Sequence, residues 1–162
     1  MAICSKGTTL QIWDVSLQDK PSLFWQAKNV REDDLCLARP IWDTDAAFID
    51  GGKSILTSTA YGEVRQYDFR SGQRKVAADV QVLDKYEKGS QLKMLTHIEA
   101  SLVNPNYVYV VSLEGHPMML DRRVNFRVAR KMHGAKGTIR DMKVVSMTSE
   151  DNLNGEGADF LF

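Results

Sequence analysis

The sequence has 162 residues, 43% of them hydrophobic and 26% charged, and its 21 basic side chains balance 21 acidic ones. That is enough apolar material for the core of one globular unit, and the zero balance excludes a uniformly basic nucleic-acid coat. No apolar run approaches the ~18 residues of a membrane span, and no basic segment followed by an apolar one marks a secretory signal.

Residues 7–14, Gly-Thr-Thr-Leu-Gln-Ile-Trp-Asp, alternate apolar and polar side chains and predict a half-buried strand. A turn at residues 19–22 leads to a second short strand at 23–26. Residues 28–45 break the pattern with dense charge, one Pro and one Trp. Residues 41–49 are weakly strand-like. Asp50-Gly51-Gly52-Lys53 is a hairpin turn, because glycine supplies the positive φ that tight hairpins need. Strands are predicted at 54–59, 64–69 and 75–82, separated by turns at 61–63 and 70–73. The order then repeats, with strands at 93–102, 107–111, 118–121 and 126–132, and one more opening at 138–147. Residues 148–162 carry four acids and no bases, show little periodicity, and are expected to be disordered.

The repeat has a fixed period. Gly7 to Gly62 is 55 residues and Gly62 to Gly115 is 53; Asp14 to Asp68 is 54 and Asp68 to Asp121 is 53. Each glycine turn leads into a strand that ends in Asp. Repeats of this kind indicate a propeller, and their length exceeds the ~40–45 residues of an ordinary WD blade. The excess is read as inserted loops at 28–39 and 83–91. The fold class is therefore all-β, a WD-repeat β-propeller over residues 1–147. The pattern gives the last two strands of one blade, two whole blades and the first strand of a fourth. Closure takes ~4–8 blades, so the chain is expected to be an incomplete arc of about three. Its missing blades are absent from the chain or supplied by another one.

Catalytic and cofactor chemistry is not expected. Gly52-Lys53-Ser54 imitates the end of a phosphate-binding loop, but position 47 is Ala where the motif requires Gly, and the context is a hairpin. His97, His116 and His133 have no metal-ligand spacing with each other or with Cys4 and Cys36. The two cysteines read as reduced thiols of an intracellular protein. The strand-ending Asp14, Asp68 and Asp121 are read as structural acceptors for turn N–H groups and hydroxyls.

Binding residues concentrate in connections on a rigid scaffold, which draws attention to residues 28–45. Ala27-Lys28-Asn29-Val30-Arg31 followed by Arg39-Pro40-Ile41-Trp42-Asp43-x-Asp45 resembles the signature of one WD-repeat family, the nucleolar assembly factors of the large ribosomal subunit (the yeast Nop-seven-associated and animal WD-repeat-protein-seventy-four family). The likeness continues through Leu56-Thr57-x-Thr59 and Val64-Arg65-x-Tyr67-Asp68, and thins after Asp79. The resemblance implies a non-catalytic scaffold in nucleolar pre-ribosomal particles. Its implied partners are other assembly factors, ribosomal RNA, and an AAA-type ATPase that releases it. Lys28, Asn29, Arg31, Arg39, Trp42, Asp43 and Asp45 match the signature residue by residue. Trp42 reads as a core plug or an interface anchor, with the interior favoured by its place at a strand start. Lys28, Asn29, Arg31 and Arg39 are then the exposed candidates for contact with protein or RNA.

A second candidate surface is basic. Arg122, Arg123, Arg127, Arg130, Lys131, Lys136, Arg140 and Lys143 fall within 22 residues that hold one acid, Asp141. Such a cluster neutralises phosphates and makes binding salt-dependent. Residues of one parity share a strand face, so Arg122 and Arg130 need not lie together. Arg122, Arg123, Arg130, Lys131, Lys136 and Arg140 are the residues expected to contact phosphate, and no aromatic platform for single-stranded RNA accompanies them. The alternative function is a generic WD-repeat adaptor for protein partners, unrelated to ribosomes.

Overall fold

A computed structural model describes residues 1–16, 20–32, 35–83, 94–133, 137–147 and 158–161. It is an arc of antiparallel sheets with no α-helix among the described residues. The first sheet contains β1 (Ala2–Ser5), β2 (Thr8–Asp14) and β3 (Ser22–Gln26) in that order. The second contains β4 (Asp43–Ile49), β5 (Ser54–Thr59), β6 (Glu63–Asp68) and β7 (Ala78–Gln81). The third contains β8 (Leu95–Ala100), β9 (Tyr107–Ser112), β10 (Pro117–Asp121) and β11 (Arg127–Lys131). A hairpin of β12 (Val144–Met147) and β13 (Ala158–Leu161) follows. Each sheet is a meander of consecutive strands, as in WD-repeat blades.

The 53–55-residue period maps onto these sheets. Asp14, Asp68 and Asp121 end β2, β6 and β10, so β1 corresponds to β5 and β9, and β3 to β7 and β11. The first sheet has no counterpart of β4 among the described residues. Two strands were not expected. β1 is a four-residue strand with alternating exposure, too short for periodicity to stand out. β13 lies inside the segment expected to be disordered and pairs with β12 from Val144↔Leu161 to Met147↔Ala158. The rest of residues 148–162, the connection 84–93 and Lys136 lie outside the described residues. The strand expected to open at 138 starts only at Val144.

The core lies between the sheets. Leu10, Ile12, Trp25 and Ala27 of the first sheet pack on Ile55 and Tyr67 of the second. Ala47, Ile49, Leu56 and Val64 of the second pack on Leu95, Ile98, Val108, Val110, Met118 and Leu120 of the third. Tyr109 and Val111 pack on Met142 and Val144. Adjacent residues of one strand thus enter opposite cores: Ile55 faces the first sheet and Leu56 the third. All six residues of β5 are buried for that reason, since a sheet covered on both faces shows no apolar–polar alternation.

The turns follow local chemistry. Asp50, Gly51 and Gly52 take φ values of 55°, 65° and 80° between β4 and β5, and Gly52 N–H donates to the Ile49 carbonyl at 3.0 Å. After β6 and β10, short 3-10 turns form at Phe69–Ser71 and Arg122–Val124. The Asp68 and Asp121 carboxylates accept from Arg70 N–H at 3.0 Å and Arg123 N–H at 2.9 Å. Asp14 accepts from Ser16 N–H at 2.9 Å in the same way. The strand-ending aspartates are structural caps, as the sequence indicates.

Candidate functional site

Residues 28–45 leave the edge strand β3, cross the boundary between the first two sheets, and enter β4. Backbone hydrogen bonds fix both ends of the crossing. Lys28 N–H donates to the Arg74 carbonyl at 2.7 Å, and Gly7 N–H donates to the Ile41 carbonyl at 2.9 Å. The Asn29 side-chain amide donates to the Arg39 carbonyl at 2.8 Å, drawing the two arms of the connection together. Trp42 is half-buried just before β4 and forms an isolated bridge with Lys6. The Lys6 ammonium sits 4.3 Å from the Trp42 ring centroid, a cation–π contact. Trp42 is therefore a joint between sheets.

Three charged residues of the signature, Arg39, Asp43 and Asp45, point inward. Arg65, only 2% exposed, projects from β6 beside three carboxylates. It lies 2.7 Å from Glu63, 3.2 Å from Asp79 and 3.4 Å from Asp43. Arg39 pairs with Glu63 and Asp79 from the other side. The sequence reading placed Arg39 among exposed contacts. Its guanidinium is instead taken up by two acids, because they would otherwise be buried against a single arginine.

The electrostatics follow from this crowding. Burial pushes the Asp43 carboxyl up to about 6 against the pull of Arg65, and Glu63 and Asp79 push in the same direction. Burial alone would lower Arg65, but Glu63, Tyr67, Asp43 and Asp79 together hold it above its ordinary value. Burial, reinforced by Asp43, pushes the Tyr67 hydroxyl up to about 12. Burial, with Asp45 and Asp43 adding, raises the Cys4 thiol to about 11, so this cysteine is an inert thiol. Asp45 reaches the third sheet, where it meets His97 Nδ1 at 2.7 Å and Ile98 N–H at 3.0 Å.

Much of the described connection is exposed, including residues 31, 32, 35–38 and 40. Lys28 and Arg31 face solvent, and Asn29 is half-buried. Leu37, Ala38, Arg39 and Pro40, with Tyr61, Glu63 and Arg65, line a cavity of about 330 Å³ above the buried cluster. Leu35 and Leu37 are exposed beside it.

The basic run separates into two groups. Arg122 makes a two-point ion pair with Asp50, at 2.9 and 3.1 Å, and donates to the Pro105 carbonyl at 2.7 Å. Arg123 closes on Asp121 at 2.8 Å. Arg122 thus joins the end of β10 to the turn between β4 and β5, whereas the Arg123 pair is local and its side chain is 59% exposed. Arg127, Arg130 and Lys131 are exposed on β11, an edge strand, and Arg140 is exposed before β12. Arg127 pairs with Asp121 and Arg130 with Met119 across the ladder, while Val128 pairs with Leu120 and Ala129 is skipped. This bulge restores parity and puts Arg127 and Arg130, three positions apart, on one face.

Sequence reasoning missed Glu63 and Asp79, the partners of Arg39, and His97, the partner of Asp45. The one available signal was Arg65, a charge inside a strand flanked by buried residues. No group of three or more His, Cys, Asp or Glu among the described residues could hold a metal ion.

No protein-family profile matches the chain. Individual relatives do. WD repeat-containing protein 74 of Mus musculus is 43% identical over 75 residues, which is 46% of this chain and 19% of that protein. The Homo sapiens protein of the same name matches to the same extent. Ribosome biogenesis protein NSA1 of Meyerozyma guilliermondii is 43% identical over 70 residues, 42% of this chain and 17% of that protein. The chain thus spans about a fifth of the length of these curated relatives. These relatives bear the names of the family that the sequence resembles.

Proposed function

We propose that this chain, a relative of the WD repeat-containing protein 74 and NSA1 proteins, is a non-catalytic scaffold in ribosome biogenesis. It works in the nucleolus on particles of the large subunit. The observation that carries this reading is the 43% identity to a protein named for ribosome biogenesis. The geometry supports a scaffold: the buried Arg65 cluster ties β4, β6 and β7 together, and the polar groups left at the surface are suited to contact.

Two surfaces divide the contacts. Lys28, Asn29 and Arg31 meet another assembly factor beside the cavity over Arg39. Arg127, Arg130 and Lys131, with Arg140 and Lys136, meet phosphates of ribosomal RNA. Trp42, Arg39, Asp43 and Asp45 act from beneath, holding the first surface in place, and Arg122 and Arg123 support the second. An AAA-type ATPase removes the scaffold from the finished particle, as the resemblance implies.

The test is sedimentation. In a gradient of cell extract, the tagged chain is expected in large-subunit precursor fractions. Arg127→Glu, Arg130→Glu and Lys131→Glu together should shift it to the light fractions. A triple variant that stays with the precursors would contradict the phosphate contact. A wild-type chain found only in light fractions would contradict the ribosomal reading.

A further inference from the structure

A groove separates the outer edge of the first sheet from the turn that follows Phe69–Ser71 in the second. Two adjoining cavities, of about 300 and about 370 Å³, share Gly72 and Arg74. One wall is β3, with Leu23, Phe24, Trp25 and Gln26; Lys28 and Lys75 lie at the far end. Phe24 is 66% exposed and Leu23 46% exposed. The described lining holds three cations, Lys28, Arg74 and Lys75, and no carboxylate.

Two features make the groove more than a scatter of surface groups. Arg74 is held in place: its Nε donates to the Gln26 carbonyl at 2.6 Å and its own carbonyl accepts from Lys28 N–H at 2.7 Å. No described carboxylate pairs with Lys28, Arg74 or Lys75. In addition, among the described residues β3 has one strand partner, β2. Its other edge is taken at the Gln26 carbonyl by Arg74, and no described strand covers it along the exposed Leu23 and Phe24.

We propose that this groove receives an extended acidic segment of a partner protein, which adds a strand to the free edge of β3. An apolar side chain of that segment packs on Phe24 and Leu23, and carboxylates beyond it meet Lys28, Arg74 and Lys75. The three cations would serve phosphates equally well, but a nucleic acid has no ladder of amides to offer the β3 edge. The proposal rests on the reading of Lys28 as a contact to an assembly factor and narrows that factor's docking segment to an acidic strand.

The probe is a fluorescein-labelled peptide of about ten alternating Glu and Val residues, long enough for one strand. Its binding to the whole chain is followed by anisotropy. Saturable binding that weakens with salt is expected, with Kd rising about tenfold or more in Lys28→Glu/Lys75→Glu and in Phe24→Ser. A peptide N-methylated along one edge should fail to bind the wild-type chain, a result that does not depend on how any variant folds. Equal binding by the N-methylated peptide, or no binding of the parent peptide, would overturn the proposal. So would displacement of the peptide only by single-stranded RNA with no effect of Phe24→Ser. If the peptide fails while the chain still sediments with large-subunit precursors, the docking segment is wrong and the ribosomal reading stands.

Discussion

Asp45 in β4 holds His97 in β8 across the boundary between two sheets. Its Oδ2 lies 2.7 Å from His97 Nδ1 and accepts the Ile98 N–H at 3.0 Å. One carboxylate therefore satisfies a ring nitrogen and a backbone donor of the neighbouring blade. Burial works against the charged carboxylate, yet the bonds from His97, Ile98 and Ala46 hold its pKa below the ordinary value. Asp45→Ala leaves both donors without this acceptor, and urea unfolding should show a loss of about 1–3 kcal/mol. The His97 pKa, followed by NMR, should fall in the same variant.

The same pair predicts a pH dependence. The hydrogen bond to Asp45 holds the His97 imidazole above its ordinary value despite burial, with Asp141 adding its charge. Asp43 is held up at about 6. Both groups bind protons more tightly in the folded chain than in the unfolded one. Their stabilisation is present below their unfolded pKa values and is lost as pH rises through the folded ones. Asp45 acts in the opposite sense, and its contribution is lost as pH falls through its lowered pKa. Thermal unfolding should therefore show stability declining as pH rises toward about 6, where Asp43 ionises, and declining further above the ordinary imidazole range as His97 loses its proton. Asp43→Asn should flatten the part of that decline near pH 6.

Arg65 is the centre of the buried cluster. Its removal leaves Asp43, Glu63 and Asp79 with only the partly exposed Arg39. Arg65→Met should cost about 3–5 kcal/mol in denaturant unfolding, as for a buried pair with one partner deleted. Changing Asp43, Glu63 and Asp79 to neutral residues in the Arg65→Met background should recover much of that loss.

Gly115 tests a close approach between two turns. Its φ is 82°, and a Cβ built there would lie 1.9 Å from the Gly137 carbonyl oxygen. Gly7 has a similar φ of 80° with open space around it. Gly115→Ala should destabilise by more than the roughly 1 kcal/mol expected of backbone strain alone, and Gly7→Ala by about that amount.

The sheets were legible because turn chemistry repeats. Gly7, Gly62 and Gly115 with Asp14, Asp68 and Asp121 gave the period. β1 escaped because four residues cannot establish alternation. The buried cluster was half legible. Arg39, Asp43 and Asp45 stood out as a charged signature, but a linear sequence does not show which charges are neutralised. Glu63 and Asp79 reach Arg39 from strands that begin 24 and 39 residues later. The fate of Arg122 was hidden for the same reason, since Asp50 lies 72 residues away. The shared face of Arg127 and Arg130 was hidden because it depends on the bulge at Ala129, which parity does not reveal.

The most direct test of the central claim is purification of the tagged chain from cells at low and high salt. The RNA and the proteins recovered with it are then identified. The account predicts large-subunit precursor RNA together with assembly factors at low salt, with the RNA lost as salt rises. A protein complex without ribosomal RNA, unchanged in high salt, would contradict it and leave a WD-repeat adaptor with no part in ribosome assembly.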